Sequence, residues 1–159
     1  MQRVSGMVIV FLLLAGMGCS SSGEPMAMAI NAPLGPPEGA VPLSGPAVDE
    51  GIVCSAATFE RVRIVDSEGS TLTEEQLSED TLLSAMYDEF TCTDGSGAFV
   101  VVQHPSLAQS DMDFEGSNDV GPWEIDSGTG DYETLSGDGT LTVDFSAGTV
   151  VYGGEVQDG

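Results

Sequence analysis

A period of two in apolar and polar positions governs the second half of this chain. Thr140-Leu141-Thr142-Val143-Asp144-Phe145 puts Leu141, Val143 and Phe145 on one face, and Ser146-Ala147-Gly148 then leads into Thr149-Val150-Val151-Tyr152. Alternation, a glycine turn and a second β-prone run predict a hairpin. A second hairpin is expected where residues 86–92 and 98–103 flank Asp94-Gly95-Ser96-Gly97, and Trp123-Glu124-Ile125 reads as a strand core. Phe59-Glu60-Arg61-Val62-Arg63-Ile64-Val65 alternates as a half-buried strand, which turns both arginines away from Val62 and Ile64. Only one helical turn is expected, over residues 74–79, where Thr73 and Gln76 are spaced as a capping box. Short strands with glycine turns and almost no helix define an all-β, mostly antiparallel domain, a small barrel or sandwich.

The first 50 residues have a different texture. Arg3 precedes the apolar run Met7 to Ala15, which is too short to span a bilayer and has the anatomy of a signal peptide over residues 1–18. The run ends in Gly18-Cys19 followed by Ser20-Ser21-Ser22-Gly23. This resembles the bacterial lipobox, although Gly16 and Met17 stand where that pattern has Leu and then Ala or Ser. The resemblance implies that Cys19 becomes the lipidated first residue of a chain anchored to the outer face of a bacterial membrane. The alternative is ordinary secretion after cleavage at Ala27-Met28-Ala29. Residues 20–48 hold six of the eight prolines and show no apolar periodicity. They predict a disordered tether over 19–48, reaching about 30 Å as a flexible coil, with the folded domain beginning at 49. Met26 and Met28, two soft ligands alone, do not define a metal site.

Charge narrows the list of partners. Acids number 26 against Arg3, Arg61 and Arg63, with no lysine, so the chain from Cys19 onward carries 26 acids and two arginines, a net −24. No basic face exists to neutralise phosphates, which argues against nucleic acid as a partner. Anionic lipid repels such a surface, so membrane attachment must come through the N-terminal lipid. The acids are spread along the chain and read as a solvated surface.

With Cys19 assigned to lipid, Cys54 and Cys92 remain as a pair in an oxidising compartment. A bridge between them stabilises the fold by about 4 kcal/mol in the loop-entropy model. A thiol enzyme needs a free cysteine beside a histidine, and His104, the only one, reads as a surface residue at a strand end.

Residues 123–132, Trp123-Glu124-Ile125-Asp126-Ser127-Gly128-Thr129-Gly130-Asp131-Tyr132, and 135–141, Leu135-Ser136-Gly137-Asp138-Gly139-Thr140-Leu141, carry W-x-I, G-T-G-x-Y and L-x-G-x-G-T-L patterns. Phe90-Thr91-Cys92-Thr93-Asp94-Gly95-Ser96-Gly97 adds a second segment of this kind. Together they resemble secreted bacterial proteins of unassigned role and, more distantly, the small eight-stranded barrels of the allene oxide cyclase and dirigent type. The resemblance implies a barrel. It assigns no catalytic residue, because the matching positions are structural.

No reaction chemistry emerges. Asp111, Asp113, Glu115, Gly116 and Asp119 follow an EF-hand loop to its ninth position, but Pro122 replaces the bidentate closing Glu, so a polar interstrand loop is expected and no tight calcium site. A lysine-dependent phosphate loop, a zinc set and a nucleophile elbow are all missing. The expectation is therefore a cofactor-free, non-catalytic binding or envelope-surface module, its ligand a small apolar molecule or an envelope component. Two alternatives stand beside it: a cofactor-free barrel enzyme acting on an apolar molecule in its cavity, and a weak calcium-binding surface module. A barrel filled by its own side chains favours the module. An open apolar cavity with a few polar groups favours the enzyme.

Overall fold

A computed structural model describes residues 23–34, 39–77, 81–105 and 115–159. The strands are β1 (Met26–Pro33), β2 (Val41–Ser44), β3 (Ala56–Asp66), β4 (Thr71–Leu72), β5 (Leu83–Cys92), β6 (Gly97–Gln103), β7 (Ser117–Gly130), β8 (Leu135–Asp144) and β9 (Thr149–Asp158). A four-residue helix, α1 (Pro46–Asp49), and a 3-10 turn at Glu74–Gln76 complete the described elements. Sheet order runs β2-β1-β9-β8-β7-β6-β5-β3-β4, and β2 also pairs with β3. Eight strands therefore close into a ring, with the two-residue β4 hanging from β3. All pairings are antiparallel between neighbours along this ring, and β1 with β9 seals it. The fold is an up-and-down β-barrel, in which closure removes the exposed edges that an open sheet would present.

The domain starts earlier than the proline content predicts. β1 occupies residues 26–33 of the expected tether and pairs with β9 along its whole length, from Met26 opposite Val156 to Pro33 opposite Thr149. Met28, Ile30 and Ala32 are buried on its inward face, so Met28 is a core side chain. The boundary at 49 is thus corrected to the start of β1 for the described residues. Pro25, Pro33 and Pro46 sit just before a strand, at a strand end and at the first position of α1, where a missing N–H removes no required bond. Residues 1–22, including the expected signal peptide and Cys19, lie outside the described residues, as do Pro36 and Pro37.

The other corrections concern local geometry. A β-bulge between Arg61 and Arg63 breaks the alternation of β3. Val62 is the extra residue and turns outward, 51 % exposed, while Ile64 returns to the interior. Arg61 consequently points into the barrel, and only Arg63 faces out, its guanidinium 3.6 Å above the Tyr87 ring. The helical turn is shorter than expected, three residues of 3-10 geometry, with the Thr73 N–H donating to Gln76 Oε1 at 2.8 Å. Residues 78–79 of that expectation fall outside the described residues.

One end of the barrel is packed solid. Phe90 stacks on Phe99, and Tyr152 and Tyr132 meet these rings edge-on, with centroids 5.5 to 5.6 Å apart. Trp123 lies across the inward faces of β8 and β9, its Nε1 donating toward the carbonyls of Thr140 and Gly153. A Cβ at Gly139 or Gly154 would lie 2.8 or 2.6 Å from the indole, so these inward glycines make the space it fills. Outside this layer, α1 and residues 51–55 cover the end of the barrel, with Ala47, Val53 and Cys54 buried. Cys54, just before β3, is bridged to Cys92 at the end of β5, with Cα atoms 5.9 Å apart.

Candidate functional site

Among the described residues, the opposite end of the barrel is open. A cavity of about 630 Å3 enters between the ends of β1, β3, β5, β6, β7, β8 and β9. Its walls are mostly apolar: Ala32, Phe59, Met86, Leu141, Val143 and Val150, with Leu34 and Phe145 at the rim. Ala32, Val143 and Val150 are small for an eight-stranded ring, which is just wide enough to be filled when the inward residues are large. Glu60 and Glu74 line the mouth.

Arg61, Gln103 and Tyr152 form a polar floor above the Phe90 layer, with Asp88 behind them. Asp88 is wholly buried, and its carboxylate accepts from Arg61 twice, Nε to Oδ1 at 2.8 Å and Nη2 to Oδ2 at 3.1 Å. Its Oδ2 also accepts from the Gln103 amide and, at 2.6 Å, from the Tyr152 hydroxyl. Gln103 Nε2 donates in addition to the Tyr152 oxygen at 2.7 Å. A carboxylate in such a place must be paired and fully hydrogen-bonded, because an uncompensated charge in a low-dielectric interior costs several kcal/mol. The described side chains leave no buried polar atom without a partner.

The same environment fixes the protonation of the floor. Burial opposes the charge of Arg61, but hydrogen bonds to Asp88 and its negative field outweigh this and hold the guanidinium above its ordinary pKa. Burial is the largest influence on Tyr152, and the Asp88 charge adds to it, so its hydroxyl is held protonated well above the ordinary tyrosine value.

Strand periodicity accounts for this cluster. Met86, Asp88, Phe90 and Cys92 share the inward face of β5, and Phe99, Val101 and Gln103 share that of β6. An acid and an amide on apolar strand faces are the signal the sequence held for a buried polar site, and sequence reasoning did not use it. Arg61 was hidden by the bulge.

The other expected residues are dispersed. His104 follows β6 and lies exposed, its Nε2 3.6 Å from Glu124. Asp111 and Asp113 lie outside the described residues. Asp119 belongs to β7, where it accepts from the Thr142 hydroxyl at 3.0 Å. Among the described residues no group of acids, histidines and cysteines is arranged to hold a metal ion.

Fold and cavity together define a class, a closed eight-stranded antiparallel barrel that, among the described residues, has a cavity open at one end. Comparison with protein families, with curated proteins and with solved structures finds no match to this chain.

Proposed function

We propose that this protein is an exported, lipid-anchored barrel that holds a small, largely apolar molecule in the open half of its interior. The observation that carries the reading is the cavity of about 630 Å3, mostly apolar in its walls, with Arg61, Gln103 and Tyr152 at its floor and two glutamates also lining it. Ligand sites of soluble proteins have this size and make-up, with a few placed polar groups that orient the occupant. Binding is favoured over catalysis by the floor itself. Tyr152 keeps its proton far into the alkaline range, and Asp88 has its charge satisfied by Arg61, Gln103 and Tyr152. A general acid or base works best with a pKa near the operating pH. The eight-stranded barrel agrees with the likeness to the allene oxide cyclase and dirigent type, but one architecture hosts many functions, so the cavity and not the likeness supports the assignment.

The anchor belongs to the same reading. Cleavage at Ala27-Met28-Ala29 would cut β1 in two and remove Met28 from the core, which supports processing upstream, at Cys19. Six residues then separate Cys19 from Met26, about 20 Å when fully extended. β1 begins at the packed end, beside Val156, so a lipid on Cys19 holds that end toward the bilayer and turns the cavity mouth away from it.

Two measurements test this. Purified protein should bind the apolar fluorophore N-phenyl-naphthylamine saturably and at one-to-one stoichiometry, and Val143→Phe, which narrows the cavity of about 630 Å3, should weaken binding. Non-saturable binding, or full binding by the variant, rejects the cavity as the site. The intact mass of protein from the membrane fraction should correspond to a chain beginning at a lipidated Cys19. A mature chain beginning at Ile30, or one that retains Met1, rejects the anchor.

A further inference from the structure

We infer that the occupant of the cavity is an uncharged molecule with one oxygen acceptor on an otherwise apolar body, and that Arg61 binds this acceptor. The inference rests on the cavity being a ligand site. An arginine in an apolar pocket ordinarily points to a carboxylate ligand, which matches the guanidinium fork. Here the protein already supplies that carboxylate. Asp88, wholly buried, takes the Nε and Nη2 edge of Arg61 at 2.8 and 3.1 Å. A second carboxylate would have to share one cation with Asp88 and lie in the field of Glu74, which also lines the cavity and acts on Arg61. Its charge would be unbalanced where the effective dielectric is low. A cationic head would meet the guanidinium itself at the floor.

Hydrogen-bonding capacity points the same way. A guanidinium has five N–H donors. Asp88 uses two of them, and the Tyr152 hydroxyl lies close enough to accept another, which leaves donors over. Its side chain remains 29 % exposed and lines the cavity. Tyr152 cannot act in its place, because its proton goes to Asp88 and its oxygen already accepts from Gln103. Arg61 is thus the donor the floor offers to an occupant. A purely hydrocarbon occupant would cover its unused N–H groups without replacing the water they bind, at the expense of an unmade hydrogen bond.

Displacement of N-phenyl-naphthylamine from the purified protein at neutral pH by methyl decanoate, decanoate, decane and decylammonium tests this order. Methyl decanoate should bind about tenfold or more tightly than each of the other three, the ratio expected for one hydrogen bond to a charged donor. Equal or tighter binding of decanoate, decylammonium or decane overturns the inference while leaving the cavity as a ligand site. Saturable binding of none of the probes removes the cavity reading and the inference with it. Arg61→Met should bring methyl decanoate to the affinity of decane. Asp88→Asn should reverse the order in favour of decanoate by releasing the Arg61 charge. Where either variant fails to fold, the order of the four probes on the unaltered protein decides.

Discussion

At the packed end of the barrel Phe90 stacks on Phe99 and Tyr132 meets Phe99 edge-on, while glycines opposite the buried indole of Trp123 make room for it. At the open end the corresponding inward positions hold Ala32, Val143 and Val150, which leave a cavity between them. Backbone and ring size are shared, so the difference is one of side-chain volume alone. An eight-stranded ring can be plugged by large side chains or left partly hollow by small ones, and at the open end Ala32, Val143 and Val150 leave space that Phe59 and Met86 do not fill. Stability is therefore concentrated where the interior is full, and the space proposed for a ligand lies where it is empty. The Arg61–Asp88 pair lies at the boundary between the two.

Variants aimed at each end should behave differently. The largest effect is expected from Trp123→Ala, which opens a void in a layer with no room to collapse and should lower unfolding free energy by about 3–5 kcal/mol in denaturant titration. A change below about 1 kcal/mol would mean that the packed end does not carry the fold. Next comes the bridge that ties α1 and its following loop to β5. Replacing Cys54 and Cys92 by alanine removes a link across 38 residues, and the loop-entropy model puts the loss at about 4 kcal/mol or somewhat less, since residual structure in the unfolded chain reduces it. An unchanged denaturation midpoint would show that the bridge adds nothing.

Val143→Phe at the open end should be nearly neutral for folding, within about 1 kcal/mol, because the added ring enters empty space instead of displacing neighbours. A loss comparable to that of Trp123→Ala would mean that the open end is as tightly packed as the closed one.

The smallest effect concerns alkaline pH. Tyr152 has a folded pKa raised above its unfolded value, so the unfolded chain releases this proton first as pH rises. Its contribution to stability is complete below about pH 10, the ordinary tyrosine value, and is lost as pH rises from there through the folded value. Near pH 10 the folded unaltered chain and Tyr152→Phe should show tyrosinate absorbance of equal amplitude, because Tyr152 does not ionise there. A full three-tyrosine transition near pH 10 would count against a desolvated floor.

Much of the architecture was legible along the chain. The hairpins around Asp94–Gly97 and Ser146–Gly148, the strand at Trp123 and the pairing of Cys54 with Cys92 all correspond to described structure. These features are local or fixed by parity, and a period of two with turn glycines suffices to read them. β1 was not legible, because its small residues and flanking prolines carry a weak strand signal. Pairing with β9 over eight residues, pairing with β2 on its other side and burial of Met28 and Ile30 give it order.

The sequence by itself determined an all-β chain with a strongly acidic surface, one available cysteine pair beyond Cys19, and strand faces whose alternation is written in side-chain chemistry. Tertiary structure decided what lies between those faces. Closure of β1 against β9 and β2 against β3 converts a meander into a ring, and only across that ring do Arg61, Asp88, Gln103 and Tyr152 come together from four strands. The bulge at Val62 sets which arginine enters it. A one-residue register change reverses the facing of every side chain beyond it, and such a change depends on the partner strand, which local periodicity does not encode.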